Sequence, residues 1–334
     1  MKKNENKYLF LAVVGIIVIA VVILFLYLNS EDAGSTGSEQ QVKIVCIPKA
    51  MDDSNDFWTA MIEGAQMAAL DNDVELTIMS PRLETDIDVQ NQMIEDAIAM
   101  QPNAIVLAPC DYTKTTPYAQ KVIDAGIKLL ILDSTMDKDF GCTVVATDNV
   151  EAGRKMGEYM KGHLNEDSVI GIVGHVKGAS TATDREQGIR EAIGEYEDQI
   201  VDVVFCNSSY STAIEVTEQM LAEHPDINVI FGLNEYSAVG AARAIKKLGL
   251  TGKVHMIGFD SSLEEVSMME EGVIDAIVVQ KALNMGYLGV TIAYQESLSS
   301  EIQDDVDSGS VLITKDTIYT EENQKLLFPF HKND

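Results

Sequence analysis

Short polar groups stand at the ends of apolar runs throughout this chain, and none of them makes a reactive pair. Asp133 and Ser134 follow Lys128–Leu132, Asn207 to Tyr210 follow Val201–Phe205, and Asn234 follows Asn228–Phe231. Asp260 follows Val254–Ile257 across Gly258 and Phe259, and Gln280 closes Ala276–Val279. Asp184 and Arg185 come after the loop Gly178–Thr183, and Asn55, Phe57 and Trp58 open a helical pattern after Val42–Ile47. Carboxylates accept hydrogen bonds, Arg donates through a fixed fork, and amides do both. Aromatic faces cover apolar C–H surface. A sugar ring has both apolar faces and a rim of hydroxyls, so this inventory suits a carbohydrate. Arg185 reads as the start of a helix, where it opposes the dipole and so needs a specific partner. Taken singly, each group has a plainer reading: the aromatics can seal a core, and Asp148, opening the next helix, reads as an N-cap.

Catalytic and cofactor signatures are missing. No G-x-G-x-x-G follows a strand, and the glycines between Gly171 and Gly178 lack G-K-[ST]. G-x-S-x-G and H-E-x-x-H are absent, and the 5 histidines are dispersed. Asp52, Ser54, Asp56 and Glu63 fall at EF-hand ligand positions, but Phe57 stands where the sharp turn requires Gly. Cys46, Cys110, Cys142 and Cys206 lie in or beside apolar runs without C-x-x-C spacing and read as buried thiols. Binding without catalysis, metal or cofactor is expected.

These tips need a scaffold that brings them together. From Val42 onward, strands alternate with helical patterns such as Phe57, Met61, Ile62, Ala65, Ala68 and Ala69. Strands separated by helices of this length form βαβ units and parallel sheet, with ligands outside the strands' carboxyl ends. The expected fold is α/β, two doubly wound parallel-sheet lobes joined by a multi-strand hinge. The first lobe comprises 42–147 plus 281–310, the second 148–280 plus 311–320, and 321–334 is a tail. Before them, residues 1–41 hold a short cytoplasmic stub, an uncharged run at 8–28 and a Ser/Gly/acidic linker. A run of that length spans a bilayer core as a helix. Lys2, Lys3 and Lys7 precede it, so the positive-inside rule puts the body outside the cell membrane on a single-pass anchor. The chain carries 24 Lys and Arg against 53 Asp and Glu, a net charge of −29, which repels nucleic acid.

The ordered motifs Asn55-Asp-Phe-Trp, Glu63-Gly-Ala-Gln, Leu132-Asp133, Thr147-Asp-Asn-Val, Asp184-Arg-Glu-Gln-Gly, Phe231-Gly-Leu-Asn234-Glu, Gly258-Phe-Asp260 and Gln280 resemble the type I periplasmic sugar-binding proteins, closest to the ribose-binding group. The resemblance covers about residues 42–315. It implies two lobes closing over a monosaccharide-like ligand, with Asn55, Phe57, Trp58, Asp133, Arg185, Tyr210, Asn234, Asp260 and Gln280 contacting the sugar. Ribose binders carry Arg directly after the Asp that matches Asp133. Ser134 stands there, which removes a cation and points away from ribose itself. The expected function is delivery of a sugar to an ABC transporter permease. The alternative is a membrane-anchored sensor signalling to a histidine kinase. A lactose-repressor-type regulator would need a DNA-binding segment where the apolar run stands.

Overall fold

The chain, described here from a computed structural model, is placed over residues 41–328. The run at 8–28 expected to be an anchor lies outside the described residues. Among the described residues, no helix is long and apolar enough to cross a membrane.

The first lobe runs β1 (Lys43–Ile47), α1 (Asp56–Asp71), β2 (Glu75–Ile78), α2 (Ile87–Ala99), β3 (Ala104–Leu107), α3 (Thr116–Asp124), β4 (Lys128–Leu132) and β5 (Val144–Ala146). The chain then crosses into the second lobe. There it forms α4 (Asn149–Lys161), β6 (Ile170–Gly174), α5 (Ser180–Ile193), β7 (Ile200–Phe205), α6 (Tyr210–Glu223), β8 (Val229–Gly232), α7 (Glu235–Lys247), β9 (His255–Phe259), α8 (Leu263–Glu270) and β10 (Ala276–Gln280). It returns through α9 (Ala282–Leu298) and β11 (Val306–Asp307), then crosses again into β12 (Ser310–Thr314) and α10 (Glu321–Leu327). The sheets are ordered β11-β5-β4-β3-β1-β2 and β12-β10-β9-β8-β6-β7, the same winding twice. β3, β8 and β10 are buried along their whole length, which is why they read as unbroken apolar runs.

Two details depart from the sequence reading. The second sheet is not wholly parallel, because β12 pairs antiparallel with β10. After β10 the chain passes through α9 and β11 of the other lobe, and it re-enters the second sheet at its edge running the opposite way. The extended segment from 311 ends at Thr314, and the tail opens with α10, whose N-cap Thr320 accepts from Asn323 N.

In each lobe, two helices cross backbone to backbone at glycines. A Cβ on Gly64 would sit 1.9 Å from Leu283 O, and one on Gly286 would sit 1.9 Å from Met61 O, so α1 and α9 touch directly. In the second lobe, a Cβ on Gly153 would lie 2.1 Å from Arg185 O, and one on Gly188 would lie 2.0 Å from Val150 O. These crossings set the position of the helices that carry Trp58 and Arg185. Gly64→Ala and Gly188→Ala should each destabilise the fold by about 1–3 kcal/mol, as overpacking against unyielding backbone does. Denaturant unfolding reads this, and an unchanged midpoint for either variant would show that the helices can part freely.

Candidate ligand-binding cleft

The cleft is built from strand tips. Asp133 follows β4 and Asp260 follows β9, strands in equivalent places in the two sheets. Both residues take positive φ, 63° and 77°. A non-glycine residue there is uncommon and costs backbone energy, and such residues gather at functional sites. Both side chains line the cavity between the lobes.

Between the lobes these tips enclose a cavity of about 20 Å³, close to the room one water needs. Most of its polar groups are bonded to one another. Lys49 Nζ lies 2.6 Å from Asp133 Oδ2, both side chains being buried. Ser134 Oγ donates to the same oxygen at 3.0 Å. Arg185 donates from Nε to Asn149 Oδ1 at 2.8 Å and from Nη1 to Leu233 O at 2.7 Å. Its guanidinium lies 3.6 Å from the centroid of the Phe259 ring, and among the described residues Nη2 makes no hydrogen bond. Asp260 accepts from Gln280 Nε2 at 2.6 Å and from Glu235 N at 3.1 Å. Burial pushes the Asp260 carboxyl up, while Arg185 and its hydrogen bonds oppose the shift. Trp58 stands edge-on to Phe57 and donates from Nε1 to Glu84 Oε1 at 2.8 Å.

Two N-caps face the same space. Asn55 Oδ1 accepts from Trp58 N at 3.1 Å and starts α1. Asn234 Oδ1 accepts from Ser237 N at 3.0 Å and, in a capping box, starts α7. Each amide uses its oxygen on its own helix, and the Asn55 amide also reaches the Tyr210 hydroxyl.

The lobes are held together by bonds beside the cavity. Glu235, at the start of α7, accepts from Asp56 N at 3.0 Å and Phe57 N at 3.2 Å with one oxygen and from Tyr210 Oη with the other. A second-lobe carboxyl group thus sits on the N-terminus of a first-lobe helix and accepts from its free amides. Tyr236 Oη donates to Asp52 Oδ2 at 2.8 Å, and Ser208 Oγ donates to Glu84 Oε2 at 2.6 Å. At the other end of the cleft, Thr135 N donates to Ser180 Oγ at 3.0 Å.

Of the residues read from the sequence, Asn55, Phe57, Trp58, Asp133, Arg185, Asn234, Asp260 and Gln280 line this one cavity. Ser134 and Tyr210 stand behind it, one bonded to Asp133, the other to Glu235 and Ser54 O. Arg185 is in the second turn of α5, which begins at Ser180, so the dipole argument for it does not hold. Its partners come from Asn149 and the end of β8 instead. Lys49, Glu84, His175, Thr181 and Tyr236 also line the cavity, and the sequence reading passed over them. Lys49 and His175 lie just past β1 and β6, so the strand-tip rule could have found both. The four cysteines are unpaired. Burial pushes Cys46 and Cys142 up to about 12 and Cys206 to about 11. A larger groove of about 690 Å³ shares Phe57, Asp260 and Gln280 with the cavity. Its remaining wall, at the hinge and α10, is mostly hydrocarbon, and the converging polar groups are in the smaller cavity.

Residues 44–298 match the periplasmic binding protein domain. The chain is 27% identical over 262 residues to the D-ribose/D-allose-binding protein of Pseudomonas aeruginosa, covering 76% of this chain and 82% of that protein. It is 28% identical to the D-allose-binding periplasmic protein of Escherichia coli, covering 75% and 83%. Among solved structures, a sugar transporter from Clostridium phytofermentans is 44% identical with a TM-score of 0.78, covering 82% of this chain and 100% of that one. An ABC transporter solute-binding protein from Agrobacterium vitis with bound D-fucose is 31% identical with a TM-score of 0.81, covering 85% and 99%.

Burial pushes Glu235 up to about 8; Asp260 and Asp56 add to the shift, while Tyr210 and the Phe57 amide oppose it. A carboxyl raised on folding contributes stability that is whole below its unfolded value and is lost as pH rises towards the folded one. Thermal unfolding of the parent should therefore lose stability between about pH 5 and pH 8 through this group, and Glu235→Gln should narrow that loss by a few degrees. An unaltered pH profile in the variant would place the titration elsewhere.

Proposed function

Since the chain belongs to the type I periplasmic sugar-binding protein family, we propose that it captures a monosaccharide between its lobes outside the cytoplasm and hands it to the permease of an ABC importer. The observation that carries this reading is the single cavity to which both lobes bring aromatic faces and paired polar tips. Phe57 and Trp58 pack against the ring. Asn55, Asp133, Arg185, Asn234, Asp260 and Gln280 bond its hydroxyls, while Ser134 and Tyr210 act from behind through Asp133 and Glu235. Lys49 supplies beside Asp133 the cation that the ribose group carries at the position of Ser134.

A ring cannot enter a cavity of about 20 Å³, so the lobes must part first. The bonds between Lys49 and Asp133 and between Trp58 and Glu84 are then exchanged for bonds to the ligand. Closure follows because the ligand meets both lobes only in the closed form and binds it more tightly. Most of the polar groups are bonded to one another, and the one hydroxyl beside a base, Thr181 against His175, lacks a third group to orient the imidazole, so we assign binding without chemistry. The run at 8–28 is the anchor that keeps the body at the outer face of the membrane, within reach of a permease.

A panel of pentoses and hexoses tested by thermal shift and calorimetry decides this. At least one sugar should raise the melting temperature. Asp260→Ala and Arg185→Ala should each weaken it by roughly 10- to 100-fold, the worth of a charge-assisted hydrogen bond. No sugar shifting the parent, or both folded variants responding as the parent does, would end the proposal.

A further inference from the structure

Among the described residues, two polar atoms of the cavity lining are buried without any hydrogen-bond partner, His175 Nδ1 and Gln280 Oε1. Gln280 entered the site from the sequence. His175 did not, and it stands immediately past β6, 2% exposed. Its backbone is fixed, since the carbonyl accepts from Asn207 N at 2.7 Å. The far side of its ring is fixed too, with Nε2 2.9 Å from Thr181 Oγ1. Only Nδ1 is left over.

We propose that His175 is a specificity-determining residue of the cleft, whose Nδ1 bonds one hydroxyl of the bound sugar. The inference rests on the sugar-binding reading above. Burial, with the positive charges of Arg185 and Lys49 nearby, pushes the imidazole well below its ordinary range, so the ring is neutral. A neutral ring donates from one nitrogen and accepts at the other. The Thr181 hydroxyl serves either tautomer. A sugar hydroxyl also serves either, whereas an ammonium group would face Arg185 and Lys49. Gln280 differs: its NH₂ is given to Asp260, so Oε1 can only accept. The ligand that satisfies both is an uncharged polyol ring whose hydroxyls reach both residues. A ring lacking the hydroxyl at His175 leaves Nδ1 buried and unpaired when the lobes close, and so binds more weakly.

The test uses the tightest-binding monosaccharide of the panel and its monodeoxy derivatives, measured by calorimetry on the full chain. The parent should reject one deoxy derivative by roughly 10- to 100-fold. His175→Gln places an amide near Nε2 and keeps the bond to Thr181 but not the Nδ1 contact. It should bind that derivative and the parent sugar within about threefold of each other. His175→Asn places an amide near Nδ1 and should keep most of the discrimination. If His175→Gln weakens every derivative by one common factor, or leaves the pattern unchanged, His175 reads no hydroxyl although the protein binds sugar. If no sugar binds the parent, the sugar reading and this inference fall together.

Discussion

Charge buried between two lobes is the constraint on which this structure turns. Lys49, Glu84, Asp133, Arg185 and Asp260 are all buried at one seam. An unpaired ion there would cost several kcal/mol, so each must be bonded within the protein or to a ligand. The observed pairing is nearly complete: Lys49 with Asp133, Glu84 with Trp58 and Ser208, Arg185 with Asn149 and the Leu233 carbonyl, and Asp260 with Gln280 and an amide. A ligand bound as proposed replaces some of these bonds and meets the polar atoms left unpaired. That favours a molecule with many small groups that both donate and accept, and disfavours one with a single strong charge.

The scaffold meets this constraint by using one solution twice. Equivalent strands end in Asp133 and Asp260, each turned into positive φ. Equivalent helix pairs cross at glycines, which lets the backbone of one helix rest on the next and leaves little freedom for the residues above. Arg185 illustrates the gain. Its own carbonyl lies against Gly153, its guanidinium lies over Phe259, and two of its nitrogens are bonded. The donor left facing the cleft is thus held by packing as much as by hydrogen bonds.

How much of this the sequence discloses depends on the kind of signal. Alternating apolar runs and helical patterns disclose the strands of both lobes, because a buried parallel strand must be apolar throughout. Asp133, Asn234, Asp260 and Gln280 are visible because each ends such a run. Glu84 is not, since it lies in the loop between β2 and α2 with no periodic neighbour. Tyr236 reads as a helical core residue, and only the fold shows its hydroxyl reaching Asp52 in the other lobe. The antiparallel direction of β12 is likewise invisible to local pattern, since the direction of an edge strand depends on where the chain has just been. The glycine motifs around Gly64 and Gly188 mark the chain clearly, but their meaning, contact with backbone from a distant helix, belongs to the tertiary structure.

The hinge, the helix crossing and the cleft are mechanically continuous. The chain leaves the second lobe at Gln280, a cleft residue, and passes through Lys281 directly into α9. At Gly286, α9 rests on Met61 of α1. The first turn of α1 carries Phe57 and Trp58, and its free amides donate to the carboxyl group of Glu235 from the other lobe. The segment leaving the second lobe is therefore joined to the aromatic wall of the cavity through direct backbone contact between helices. The same turn of helix bears both the cavity's first-lobe aromatic residues and the interlobe bond. A ring bound as proposed above against Phe57 and Trp58 would bear on the turn of helix that Glu235 meets, which would couple binding to closure at one helix terminus.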